Sequence, residues 1–446
     1  MLLEHYLNGD DSAIALKHND KSLTYLALKE AVTHLATWII NNNVSSIAIA
    51  FDNSFAWVVA DLACQEAQVC CVPIPLFFSE TQQRHVIEES QCECLLSSGT
   101  LTLFPGAKKE TLSDSLNITG YTLTPFATSV NMPKDTNKIT FTSGSTGTPK
   151  GVCLSSESQW QVAKSIDSAF QQDEVNHLCI LPLSTLLENI AGIYAPLLHG
   201  GTVQLASASA RGFEGSRLVN PQALLKLIDS VQPTSIILVP ELLMVLLEAC
   251  SKGWLPPTSL SFIAVGGAHV SPFLLTEARA RGLPVYEGYG LSEAVSVSTL
   301  NTPNCNVPGS AGKALGHNTL YIDKGEVVVA GNHFLGYLNQ PESFYPPEVR
   351  TGDLGVINDG VLTLSGRKKN IMVNSAGRNV SPEWIESLLM GSGLLRQALV
   401  FCEARPPCVA LIVPLSPQIS TDRIRKAVEL INQQLPDYAQ IENFDV

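Results

Sequence analysis

Between Ile139 and Gly151 the chain reads ITFTSGSTGTPKG. A β-branched run, Ile139 to Thr142, leads into Ser, Gly, Thr and Pro and closes on one cation, Lys150. Glycines let backbone N–H groups turn inward, hydroxyls donate further hydrogen bonds, and a lysine adds positive charge. Together these suit the oxygens of a phosphate. A flexible linker has a similar composition, but a linker need not follow a strand and return at once to apolar Val152-Cys153-Leu154. Three better-known loops do not fit. A Walker loop puts Gly before its Lys and Ser or Thr after it, whereas Pro149 and Gly151 flank Lys150, which disfavours a P-loop phosphotransferase. SGSTG carries Ser143 where a nucleophile elbow has its first Gly. GYGLSE places Glu293 at the last glycine of a dinucleotide fingerprint.

The elements that must hold this loop alternate. Residues 22–42 carry apolar positions at helical spacing, 45–51 form a buried-type strand, 54–68 an amphipathic helix and 69–76 a second strand. That β-α-β order predicts a parallel sheet covered by helices. Further apolar strands are predicted at 177–183, 234–240, 260–267 and 283–290. In open sheets of this kind ligands bind outside the carboxyl ends of the strands. From residue 325 short strands and turns take over, with Asn358-Asp359-Gly360 as a hairpin signal. A boundary is expected near SGRKKNI, residues 365–371. Beyond it lies a helix N-capped by Ser381, with Pro382 in its first turn and Gly391 after its end. Two strands that could pair and an amphipathic helix over 421–435 follow.

At 446 residues the chain is long enough for two or three domains or subdomains with a full core. Its net charge of -13 and the lack of a basic stripe speak against a nucleic-acid partner, though a local site can still oppose the global sign. Eleven cysteines in no framework spacing read as reduced thiols, mostly core. The amino terminus lacks the pattern of a secretory leader, and no apolar run is long enough to span a bilayer. A cytoplasmic location is the expectation.

Several separated segments, in order, resemble the acyl-adenylate-forming superfamily: acyl-CoA synthetases, adenylation domains of peptide synthetases and luciferases. TFTSGSTGTPKGV (140–152) is similar to its phosphate loop, LPLSTLLENIAG (181–192) to its fourth motif, and YEGYGLSEA (286–294) to its adenine and magnesium motif. GEVVVAGNHFLGYLNQPE (325–342), RTGDLG (350–355) and SGRKKNIMVNSAGRNVSPEWIE (365–386) follow as the family has them. The resemblance implies an α/β fold. Residues 1–366 would form a large N-terminal domain of stacked α/β subdomains with a small β-barrel. Residues 367–446 would form a small, shortened, mobile α+β domain. It also implies the reaction: a carboxylic acid and ATP give acyl-AMP and pyrophosphate, and a pantetheine thiol, on CoA or an acyl carrier protein, then takes the acyl group.

By that resemblance Thr142, Ser143, Gly144, Ser145, Thr146, Gly147 and Lys150 would cradle the β- and γ-phosphates. Glu293 with Thr146 would hold Mg²⁺, since a carboxylate beside polyphosphate calls for a cation between them. Tyr289, Gly290 and Ser292 belong to the adenine motif, with Tyr289 stacked on the base, and Gly267 and Ala268 would line the adenine and acyl pockets. Asp353 would accept from both ribose hydroxyls, Arg367 would contact the adenylate, Lys369 would mark the hinge, and Gly377 would border the pantetheine tunnel. Thr185 stands where the family usually has His or an aromatic residue. With Glu188, this segment is nearer the long-chain acyl-CoA synthetases than the amino-acid-activating enzymes, so a medium- or long-chain fatty acid is the expected substrate. The family's late catalytic lysine has no counterpart, Lys426 being the only lysine after Gly377. A truncated C-terminal domain is therefore expected. The alternative is an adenylation fold that binds nucleotide or acyl-adenylate as a sensor or scaffold without turnover.

Overall fold

A computed structural model describes residues 2–99, 103–104, 106–126, 129–142, 149–170, 174–268, 270–373, 378–402 and 408–446. Two sheets carry most of the chain. The first has eight strands, with a parallel centre of Lys138–Thr142, Cys70–Pro73, Ser46–Ala50 and Cys94–Ser97. Lys150–Leu154 returns antiparallel along Lys138–Thr142, and Gly336–Tyr337 pairs onto its outer edge. The second has thirteen strands. Thr202–Leu205, Asn176–Leu178, Ser235–Leu238, Phe262–Val265 and Val285–Leu291 run parallel. From Ser296–Leu300 onward the same sheet continues antiparallel through Gly312–Ala314, Val361–Arg367, Val349–Asn358, Glu326–Gly331 and Asn318–Asp323.

The helix Phe55–Ala67 explains how the sheets meet. Every residue from Phe55 to Gln65 is buried, so it has no solvent face and belongs to an inner layer. Ser54 caps its start by accepting from Trp57 N, and Gln68 ends it in the left-handed conformation. Its apolar surface joins one core with Ile47 and Ile49 of the first sheet and Leu16, Val203 and Leu205 of the second. Into that core the chain buries an ion pair. Lys138 Nζ lies 2.8 Å from Asp61 Oδ1, both side chains 1% exposed. Tyr194 OH (2.6 Å) and Asn189 Nδ2 (3.1 Å) donate to the other oxygen of Asp61, and Lys138 also donates to Asn189 Oδ1 and to Tyr194 OH. Asn189 and Tyr194 come from a π-helical stretch, Glu188–Tyr194.

Residues from Val380 to Ile441 form a separate core built by Leu395–Phe401, Cys408–Pro414 and Ile441–Asp445, with the helices Pro382–Gly391 and Thr421–Asn432. This unit meets the rest of the chain closely. A Cβ on Gly366 would sit 2.1 Å from Ser381 Oγ, and one on Gly391 would sit 2.0 Å from Ser271 Oγ.

Some local expectations change. The strand read over 177–183 is regular only at Asn176–Leu178. Side chains take over its later backbone groups: Asn53 bonds Leu181 O and Leu183 N, and Glu188 accepts from Leu181 N. Gly391 is the last residue of its helix rather than the residue after it, and Ser381 bonds Glu383 rather than a backbone N–H. Nine cysteines are free thiols, but Cys402 and Cys408 form a disulfide across a hairpin, which corrects the expectation of reduced thiols throughout. The hairpin at Asn358-Asp359-Gly360 forms as read, with Asp359 (φ 51) and Gly360 (φ 78) both left-handed as a tight primed turn needs.

Removing one partner of a buried pair strands the other charge, at about 3–5 kcal/mol. Asp61→Ala is therefore expected to lower stability by about that amount, read from the urea midpoint. A loss below about 1 kcal/mol, the worth of an exposed pair, would mean the cluster is not holding the sheets together.

Candidate active site

Thr142 and Lys150, on either side of the Ser/Gly/Thr segment, face each other as the last residue pair of a hairpin. Ser143, Gly144, Ser145, Thr146 and Gly147 lie outside the described residues, as does Gly377. Lys150 projects from the start of its strand, with Nζ 5.5 Å from the centre of the Tyr337 ring. Tyr337 sits on the adjoining strand, opposite Val152, and its hydroxyl donates to Glu293 Oε1 at 2.7 Å. Burial first, and Glu293 second, push the Tyr337 phenol up, so it stays a neutral donor. Three separated segments thus bring Lys150, Tyr337 and Glu293 together. Among the described residues Glu293's other oxygen has no side-chain partner.

A second carboxylate is held in the same manner. Asp353 is 6% exposed and faces Arg367 across neighbouring strands. Arg367 Nε donates to Oδ1 at 2.9 Å, and Tyr289 OH donates to Oδ2 at 2.7 Å. Burial first, then the negative charge of Asp353, raises the Tyr289 phenol. A carboxylate has about four lone-pair positions, so roughly two stay open for an incoming diol. Glu293 lies only four residues after Tyr289, so it and the tyrosine that holds Asp353 share one strand end.

Between the second sheet and the inner helices runs a cavity of about 230 Å³. Gly266, Gly267, Tyr289, Gly290 and Ser292 line its end at the carboxyl termini of the strands, and Thr185 stands on its wall. Ala268, expected there, is exposed and outside the lining. Lys369 is exposed, while Lys368 beside it reaches Glu326 at 3.2 Å.

Glu188 is fully buried behind the wall rather than in it. His177 bonds Glu188 Oε1 through Nε2 (3.1 Å) and Ser235 Oγ through Nδ1 (2.9 Å), and Leu181 N holds the second oxygen of Glu188. With Cys179 these residues could by type hold a metal, their ligand atoms lying within 4.8 Å. The geometry speaks against it. Both ring nitrogens are used, burial pushes the Cys179 thiol up and away from the thiolate a metal needs, and the cluster is tight enough that a Cβ on Gly192 would sit 2.6 Å from Glu188 Oε1. It is a hydrogen-bonded brace.

Glu287 precedes the lining residue Gly288. It is 8% exposed, Oε1 accepts from Val270 N at 3.4 Å, and Oε2 has no partner among the described residues. Burial pushes its carboxyl up to about 8. Sequence reasoning missed Tyr337, Glu287 and His177, because each acquires its role only from a partner on another segment.

The chain belongs to the AMP-binding enzyme family, whose main domain matches residues 3–338 and whose C-terminal domain matches residues 369–446. The class so defined is that of the acyl-adenylate-forming CoA ligases, which use ATP and CoA. The long-chain-fatty-acid–CoA ligase FadD15 of Mycobacterium bovis is 26% identical, over 92% of this chain and 81% of its own. O-succinylbenzoate CoA synthetase of Bacillus subtilis, solved with ATP and magnesium ion, is 25% identical with a TM-score of 0.77, over 97% of this chain and 92% of its own. The anthranilate CoA ligase AuaEII, solved with anthranoyl-AMP, shares the fold at a TM-score of 0.82 and 18% identity, over 100% of this chain and 92% of its own.

A raised carboxyl pKa fixes a pH dependence. The folded chain holds the Glu287 proton more tightly than the unfolded one, so this contribution is complete below the ordinary value of 4.5. It is lost as pH rises through about 8. Glu287→Gln, neutral throughout, is expected to gain on the parent in thermal midpoint from pH 5 to about pH 8 and to level off above it. A gap between the two proteins that does not change with pH would show that Glu287 does not titrate in that window.

Proposed function

We propose that this enzyme activates an apolar monocarboxylic acid, a medium- or long-chain fatty acid, and passes it to the thiol of CoA. The observation that carries this reading is the cavity wall: among the described lining residues there is no Lys or Arg. The wall is mostly apolar, with Ile166, Phe170, Leu187, Ile237, Phe262 and Ala264; its His177 spends both nitrogens on Ser235 and Glu188, and its Asp167 and His199 bond each other. A substrate with a second carboxylate would bury an unpaired anion there, a prohibitive cost. A hydrocarbon tail gains about 0.8 kcal/mol per buried CH₂.

The site residues then take the following roles. Lys150 and the loop after Thr142 neutralise the β- and γ-phosphates. Asp353 accepts from the ribose hydroxyls while Tyr289 and Arg367 hold its carboxylate in place, and the Tyr289 ring faces adenine at the cavity mouth. Glu293, with Thr146, would hold Mg²⁺. Its donor set fits, because magnesium binds through one or two carboxylates and substrate phosphates, and the hydroxyl of Tyr337 orients Glu293 without cancelling its charge. When bound, the ion supplies charge neutralisation on the triphosphate. A substrate carboxylate oxygen attacks the α-phosphorus, the bond to the β-phosphate oxygen breaks, and pyrophosphate leaves. A thiolate then attacks the acyl carbon and AMP departs. Residues 367–446, with their separate core, would move between the two half-reactions.

Isotope exchange between pyrophosphate and ATP, run over a panel of carboxylic acids, tests this reading. Exchange is expected with straight-chain fatty acids and not with dicarboxylic ones. Lys150→Ala is expected to reduce it by about 10²-fold, as for loss of one preorganised charge donor. The thermal midpoint should not move, since Lys150 is exposed. ATP binding without exchange for any monocarboxylic acid would overturn the proposal.

A further inference from the structure

The cavity has a second end. Its lining follows the strands from Gly266 back to Phe262, Ser235, His177 and Val175 at their amino termini, on one face of the sheet. The opposite wall comes from the last turn of the helix Ser156–Ala169 (Ile166, Asp167) with Phe170, and from the π-helical stretch and the helix Ala195–His199 (Ala191, Ala195, Pro196, His199). The two helices end at this distant point. His199 is the last residue of one, and Asp167 lies two residues before the end of the other. Their side chains meet, His199 Nδ1 to Asp167 Oδ1 at 2.7 Å, 26% and 30% exposed respectively. The residue after next, Gly201, lies against Val175, where a Cβ would sit 2.6 Å from Val175 O. The pair therefore stands between the apolar cavity and solvent.

We propose that the Asp167–His199 pair is the end wall of the acyl cavity and sets the longest chain this enzyme accepts. The inference rests on the fatty-acid reading above. A methyl terminus reaching the pair gains no further burial unless it breaks a charge-assisted hydrogen bond, and the two polar groups it would cover lose water without a new partner. Chain length is thus limited by an energetic step rather than by bulk. The span is also fixed. From Phe262 to Gly266 the strand rises about 13 Å at ~3.3 Å per residue, room for about ten extended single bonds at the ~1.2 Å per bond of a stretched chain. Saturated acids of about ten to twelve carbons fill that length.

The test is kcat/KM across straight-chain acids of graded length, for the parent enzyme, His199→Ala, Asp167→Ala and His199→Trp. Either alanine variant opens the end, and the ratio of long-acid to short-acid kcat/KM is expected to rise by about fourfold for each methylene newly admitted, the worth of one buried CH₂. His199→Trp fills the end, and the optimum is expected to move to shorter acids. The rise should lie in KM, because the added contacts are the same in ground and transition states. Thermal midpoints identify any variant that fails to fold, and the remaining ones decide. A parent with a clear length optimum that no folded variant moves overturns the end-wall assignment alone. A parent that activates no straight-chain acid overturns the substrate reading and the end wall with it.

Discussion

Lys138 is a charge with no route to water. It begins the strand Lys138–Thr142, which leads into the Ser/Gly/Thr segment, and it is buried between two sheets. An isolated ammonium there would be intolerable, so Asp61, Asn189 and Tyr194 must stay beside it. Those partners come from the inner helix Phe55–Ala67 and from the π-helical stretch. The same stretch and the helix after it wall the cavity through Ala191 and Ala195. One electrostatic requirement therefore sets two distances together: the strand Lys138–Thr142 to the inner helix, and the inner helix to the cavity wall. Apolar packing alone can slide, whereas an ion pair bonded on both sides to the same two residues has one arrangement.

The two acids of the site follow a shared design. Each accepts a hydrogen bond from a tyrosine whose phenol burial keeps protonated: Tyr337 on Glu293 and Tyr289 on Asp353. A neutral donor fixes a carboxylate's direction and leaves its charge available. Among the described residues Arg367 is the one cation bonded to either of these two acids, and it reaches Asp353 largely from solvent, where the pairing is weak. Behind the cavity, His177 and Glu188 use the same economy by satisfying each other, so that the wall shows hydrocarbon to whatever enters.

Much of this was legible in the sequence, for reasons that differ by residue. The segment from Thr142 to Lys150 stood out because its composition suits a loop that turns its backbone inward, though its middle lies outside the described residues. The proximity of Asp353 to Arg367, and of Glu293 to Lys150 through Tyr337, was implied by short segments of fixed order and is seen in the fold. The alternation of strand and helix was visible in apolar periodicity. What stayed hidden depends on distant pairs. Nothing local distinguishes Lys138 from a surface lysine, and Tyr337 acquires its role only when a two-residue strand lands beside Val152. The stretch after His177 looked like a longer strand because its residues are apolar. Its backbone bonds go instead to Asn53 and Glu188, partners that no periodicity can show. Cys402 and Cys408 were likewise unremarkable until the hairpin brought them together.

The seat of the C-terminal unit has its own implication. Gly391 against Ser271 and Gly366 against Ser381 are meetings of bare backbone with a small hydroxyl side chain. At these two points the outer unit approaches so closely that there is no room for even one extra methyl group. A side chain grafted onto either glycine would act as a shim, prying the outer unit away from its seat.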